Sequence, residues 1–143
     1  MTEQATIDDV QARNVALYRR FIDEGVGIGR LDTIDEVLSP DLELPTLTGL
    51  AEATPAGLKQ MNQGFRAAFP DLHGRIEQVF AVGDWVAAQV TWTGTNTGDF
   101  MGQAPTGRTM SITELEIVRC QDGRIVDLRQ VADLGTLMSQ LGS

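Results

Sequence analysis

One cysteine, one histidine and one tyrosine are present in the 143 residues. The lone Cys120 excludes an intrachain disulfide and fits a reducing cytosol, where it reads as a small filler at a strand end. With Cys120 and His73 in different regions, neither a zinc site nor a Cys-His nucleophilic pair can be assembled. Basic residues are also scarce: 11 Lys and Arg against 20 Asp and Glu give a net charge of −9 and a pI near 4.4. That charge repels phosphate backbones and anionic lipid surfaces, which makes nucleic acid and membrane poor partners. No apolar run approaches the roughly 18 residues of a membrane span, and Met1 to Thr6 lacks the basic and apolar regions of a signal peptide. A soluble, cytoplasmic protein is predicted. Aromatic content is low at 6%, but 42% hydrophobic residues in this length suffice for one domain, 1–143, with a real core.

What is there begins with helices. Val10, Leu17 and Phe21 recur at helical spacing and predict a first helix from Asp8 to Glu24, stopped by Gly25, Gly27 and Gly29. A short helix is expected over Leu31 to Leu38, capped by Asp32 or Thr33 and ended by Pro40, then a short strand over Asp41 to Leu44. Thr54 or Pro55 starts a third helix, with Leu58, Met61, Phe65 and Phe69 as its buried stripe and Pro70 as its stop. The Gly25 to Gly29 run follows a helix and lacks the spacing of a nucleotide loop.

Beyond Pro70 the hydrophobic period switches to two. Four strands are predicted, Leu72–Val82, Trp85–Thr97, Arg108–Gln121 and Arg124–Ala132, broken at Gly83-Asp84, Gly98 to Gly107, and Asp122-Gly123. A helical segment from Asp133 to Leu141 closes the chain. Helices first and an antiparallel meander afterwards define an α+β fold, in which helices cover one face of a curved sheet and leave a pocket between.

The most telling stretch lies in the third strand, where Glu114 and Glu116 stand among Met110, Ile112 and Val118 on one strand face. Burying an ionised carboxylate costs several kcal/mol unless it is partnered or keeps its proton. The pair is therefore either the polar floor of an apolar pocket or plain surface charge on a solvated face. In a pocket, two carboxylates roughly 7 Å apart at Cα could act as general base and general acid.

Further along, Phe69-Pro70-Asp71, Gly83-Asp84, Phe100 through Arg108 with its Pro-Thr-Gly-Arg ending, Asp122 through Val126 and Gln140-Leu141-Gly142 resemble the SnoaL-like polyketide cyclases. Tyr18 to Phe21 and Leu31 to Asp41 match the helical half of that family, so the resemblance spans nearly the whole chain in order. It implies the cone-shaped α+β barrel shared with ketosteroid isomerase and limonene epoxide hydrolase, a scaffold that hosts several enzyme classes and some non-enzymes.

The resemblance also exposes departures. The cyclases that close rings by aldol chemistry use an Asp as general acid/base at a position that matches Gln130, and Gln cannot exchange protons usefully. Where many relatives carry His-Trp, Leu128-Arg129 stands. The family's Gln and His at the positions of Glu114 and Glu116 are both replaced by carboxylates. A downstream Asp common in relatives is retained as Asp133.

Glu114 and Glu116 are thus the candidate catalytic residues. Candidate substrate contacts are Trp92, Gln130, Tyr18, Met110, Ile112, Leu128 and Asp133. Each has a plainer reading: Trp92 as core, Gln130 as a strand residue without a role, Tyr18 at a helix boundary, and Asp133 as a helix N-cap. His73 has outward parity, opposite to Ile76 and Phe80.

The function expected is cofactor-free and metal-free cyclisation or isomerisation of an apolar small molecule. Epoxide opening, or binding without catalysis, are the alternatives. A homodimer is expected through the outer sheet face, where Leu115, Ile117, Val131, Thr91 and Thr93 form a stripe and family members commonly pair.

Overall fold

A computed structural model of the chain describes residues 6–42 and 54–142. Helix α1 spans Ile7–Arg20 and opens with a capping box: the Asp9 N–H donates to the Thr6 hydroxyl at 3.1 Å and the Thr6 N–H to the Asp9 carboxylate at 3.4 Å. One of the expected glycine stops, Gly25, does not act as a stop. The helix runs on as a π-helical segment, Phe21–Val26, that contains Gly25 and is capped by Gly27. The Gly27 N–H reaches five residues back to the Ile22 carbonyl at 2.8 Å, and a Cβ on Gly27 would sit 2.4 Å from that oxygen. The absence of a side chain at Gly27 is what permits the wider turn. Gly29, at φ +74°, lies in the turn that follows.

Helix α2 covers Leu31–Val37, with Arg30 rather than Asp32 or Thr33 at its N-cap. The strand expected over 41–44 lies partly outside the described residues; Asp41 is in a turn, and Leu38 makes a lone parallel bridge to Ile125. Helix α3, Pro55–Ala68, is capped by the Thr54 hydroxyl and ends before Pro70 as its sequence requires.

The sheet is a four-stranded antiparallel meander in the order β1 (His73–Val82), β2 (Trp85–Thr95), β3 (Thr109–Gln121), β4 (Arg124–Ala132), and helix α4, Leu134–Gln140, follows. The expected α+β fold, a curved antiparallel sheet with helices over one face, is the fold observed. Tyr18, Phe21, Ile22, Ile34 and Val37 from the helical half pack against Val86, Val90, Val118, Ile125 and Leu128 of the sheet. A second cluster joins Phe69, Phe100, Ile112 and Leu137 near α4.

Parity counted along β1 fails at one residue. Ile76 pairs with Val90 but Gln78 pairs with Gln89, so Glu77 is a bulge and every later side chain changes face. Phe80, expected to share the inner face with Ile76, is instead exposed. A second irregularity, between Arg119 and Cys120, keeps both Ile125 and Leu128 on the inner face.

Candidate active site

The register fixes what surrounds the glutamates. On β3, Glu116 stands opposite Ala88 of β2 and Gln130 of β4, while Glu114 stands opposite Val90 and Ala132. The inner sheet face and the helices enclose a cavity with an empty volume of about 680 Å³ including its open mouth. Glu114, Glu116, Gln130, Trp92, Met110 and Ile112 line it from the sheet; Phe21, Ile22, Val26, Leu58, Met61, Asn62 and Phe65 line it from the helical side. Both glutamates lie on the helix-covered side of the sheet and border this cavity.

Each carboxylate has its own donor. The Tyr18 hydroxyl donates to Glu116 Oε1 at 2.6 Å, within a region where Tyr18 is 0% and Glu116 4% exposed. The Trp92 indole N–H donates to Glu114 Oε1 at 3.2 Å, and Glu114 is half-buried. Burial pushes the Glu116 carboxyl up to about 7, against the opposing pull of the Tyr18 hydrogen bond. Burial, then the neighbouring Glu116 charge, pushes Glu114 well above the carboxylate range, with the Trp92 bond again opposing. Burial and the adjacent Glu116 also hold the Tyr18 phenol well above its ordinary value, so it remains a donor.

Trp92 owes its place to Gly74, its cross-strand partner: a Cβ there would lie 2.8 Å from the indole ring. The ring therefore lies over bare backbone, and its N–H is aimed along the sheet at β3.

Three expected contacts fall elsewhere. Leu128 is buried in the core opposite Val118 and is not part of the cavity wall, because aliphatic neighbours close over it. Asp133 is exposed and caps α4, accepting from the Thr136 N–H at 3.0 Å and the Thr136 hydroxyl at 2.6 Å; these bonds hold its carboxyl below the ordinary range. Tyr18 does not line the cavity and reaches it only through Glu116. His73 is exposed.

Asn62 escaped the sequence reading. It lies four residues after Leu58 on the apolar stripe of α3, and a polar residue in that stripe was the available signal. Its Nδ2 donates to the Val26 carbonyl at 2.8 Å, beside Arg66 Nη2 at 2.9 Å, which ties α3 to the π-helical segment across the cavity wall. Among the described residues no cluster of His, Cys, Asp and Glu could hold a metal ion, and no helix is long and apolar enough to cross a membrane.

The SnoaL-like polyketide cyclase family model matches residues 16–141. Nogalonic acid methyl ester cyclase of Streptomyces nogalater is 33% identical over 117 residues, 80% of this chain and 87% of that protein. Aklanonic acid methyl ester cyclase AcmA of Streptomyces galilaeus is 26% identical over 133 residues, 92% of both chains. The crystal structure of IdmH from Streptomyces antibioticus superposes with a TM-score of 0.81 at 29% identity, covering 91% of this chain and 99% of IdmH. The α+β fold with a cavity between sheet and helices defines the class of protein in outline, and the comparisons make the assignment specific. The chain belongs to the SnoaL-like polyketide cyclase family.

Proposed function

We propose that this protein is a cofactor-free cyclase or isomerase of the polyketide-tailoring type, in which Glu114 and Glu116 transfer the protons. The observation that carries the reading is the pair itself: two carboxyls with raised proton affinity, each held by a separate donor, on the floor of an apolar cavity. Ring closure of the aldol kind needs this division. One carboxylate removes a proton from carbon, breaking C–H. The resulting enolate carbon bonds to a carbonyl carbon within the same molecule. That carbonyl oxygen takes a proton from the second carboxyl, and proton transfer between the two resets the pair.

Trp92, Met110 and Ile112 provide a flat apolar wall suited to a fused aromatic substrate, and Gln130, opposite Glu116, is placed to orient a carbonyl. The buried Cys120 accords with a cytoplasmic setting.

We also infer a homodimer through the outer sheet face. Leu115, Ile117 and Val131 are exposed there, and the bulge at Glu77 adds Phe80 to the patch. An exposed apolar surface of this kind on the outer sheet face suits a second copy related by a twofold axis.

The test of the catalytic reading uses nogalonic acid methyl ester and aklanonic acid methyl ester as assay substrates, with cyclised product followed chromatographically. Glu114→Gln and Glu116→Gln are each expected to cut turnover by ~10²–10⁴, while substrate affinity changes far less. Folded Gln variants that turn over at the wild-type rate would refute the assignment. Tight binding without turnover by the wild-type protein would make it a binding module instead.

A further inference from the structure

The two glutamates are chemically identical, and their surroundings are not. Tyr18 comes from α1, in the helical layer, and its hydroxyl is spent wholly inside the protein: fully buried, outside the cavity wall, 2.6 Å from Glu116 Oε1. An O–H···O contact of that length between buried groups is characteristic of a charge-assisted bond, which favours the acceptor's ionised form. Glu114 receives only the longer indole N–H bond at 3.2 Å.

We propose that Tyr18 is a positioning residue that divides the labour of the pair, holding Glu116 as the carboxylate base and thereby leaving the proton on Glu114, the acid. The inference rests on the reading of the pair as proton-transfer groups and adds which does what.

The surroundings support this asymmetry. Two carboxylates in one apolar enclosure do not both ionise cheaply, so the enclosure holds one proton near neutrality and the better-solvated oxygen loses its proton first. Tyr18 supplies the missing solvation to Glu116. The groups that face the pair are Tyr18 from α1, Trp92 from β2 and Gln130 from β4, and Asp23 acts on Tyr18 from the π-helical segment; among these described residues none is a cation. Burial raises both carboxyls, so a proton shared within the pair is retained toward neutral pH.

In the cycle proposed above, Glu116 would take the proton from carbon and Glu114 would deliver its own to the carbonyl oxygen. Glu116 would then return a proton to Glu114 before the next turn. Tyr18 keeps its hydrogen throughout; its hydroxyl strengthens its donation while Glu116 is charged and relaxes when Glu116 is protonated. A group acting this way alters the pH at which the base is ready without touching the substrate.

The experiment needs no substrate. Infrared spectroscopy separates the C=O stretch of a protonated carboxyl from carboxylate bands, and titration of the intact protein between pH 5 and pH 9 follows the pair directly. At slightly alkaline pH the wild-type protein should retain one buried protonated carboxyl band. That band should vanish in Glu114→Gln, and in Glu116→Gln it should titrate at lower pH than in the wild type, because the neighbouring charge that raises it is gone. Tyr18→Phe should raise the midpoint of the other carboxyl by about one pH unit, roughly a tenfold change in its proton affinity, as expected for loss of a hydrogen bond to a charged group. Tyr18→Phe that lowers thermal stability but leaves the midpoint in place would make the tyrosine merely structural and overturn the proposal. So would a protonated-carboxyl band at slightly alkaline pH that survives in Glu114→Gln. These outcomes are independent of turnover: the proton division can fail while the Gln variants still lose activity, and it can hold in a protein that only binds.

Discussion

Raising the pH from 5 to 8 should destabilise this protein, and the carboxyl pair should be the cause. The sign follows from where the protons sit. Glu116 has its carboxyl pushed from 4.5 in the ordinary state to about 7 in the folded one. Between those values the folded chain holds a proton that the unfolded chain has released, so stability falls as pH rises through that window. The rise to about 7 corresponds to on the order of 3 kcal/mol, absent below about pH 4.5 and complete above pH 7. Glu114, also raised by burial and by the neighbouring Glu116, contributes to the decline with the same sign.

Groups shifted the other way lie outside this window. Asp71, Glu77 and Asp133 are held below the ordinary carboxylate range by Thr95, Arg75 and Thr136, and lose their contribution only as the pH falls through the acid range. In a domain of this size about 3 kcal/mol corresponds to a Tm change of roughly 6–12 °C. Circular dichroism melts at fixed ionic strength and fixed protein concentration would record it, since association also moves Tm. The double variant Glu114→Gln/Glu116→Gln should melt with almost no slope between pH 5 and pH 8, and above the wild type at pH 8. A wild-type Tm that is flat or climbs across that range, or a double variant with the wild-type slope, would show that the pair is solvated and ionises freely.

Two other expectations concern the framework around the site. Gly74→Ala places a methyl within 2.8 Å of the Trp92 ring, so the ring must move off β1; urea denaturation should report a loss of about 1–3 kcal/mol, and turnover should drop as the indole N–H leaves Glu114. Light scattering at micromolar concentration should give a dimer that Leu115→Lys or Val131→Lys converts to monomer, and a wild-type protein that is monomeric there would remove the outer sheet face as an interface.

Much of this molecule was legible in its residue order because short-range signals and the tertiary fold agree. Asp122-Gly123 makes a two-residue hairpin with both residues at positive φ, 52° and 76°, which is what a tight antiparallel turn demands of that dipeptide. Thr54-Pro55 caps and starts α3, and Pro70 follows its end. Strand parity put Glu114 and Glu116 on one face with Met110 and Ile112. Parity is a counting argument, however, and a single inserted residue defeats it. Glu77 has no local signature as a bulge, so Phe80 was counted onto the wrong face. The π-helical segment was hidden for a related reason: Gly25 looks like a stop in isolation, and the bond from the Gly27 N–H five residues back to Ile22 that marks the wider turn has no signature in the residue order. The bond from Tyr18 to Glu116 spans 98 positions, beyond the reach of any periodicity.

The loss of a carboxylate at Gln130 acquires a geometric meaning once the register is known. The resemblance to the aldol-type cyclases implies an acid/base Asp at that position, on β4. Glu116 on β3 is its direct cross-strand partner. Opposed side chains in an antiparallel pair have Cβ atoms about 4.5–5.5 Å apart, and both point into the same enclosure. A Glu is one methylene longer than an Asp, so its carboxyl can recover part of that lateral offset. Under the mechanism proposed above, moving the acid/base carboxyl one strand across would preserve the cavity it serves and change its neighbours. On β3 the carboxyl lies under α1, where Tyr18 can reach it, and two residues from Glu114, which can share its proton. Under the mechanism proposed above, a scaffold that substituted Gln130 alone would be a binder. One that also gained Glu114 and Glu116 beside an existing phenol donor would have its proton chemistry relocated, with Gln130 left to hold the substrate against it.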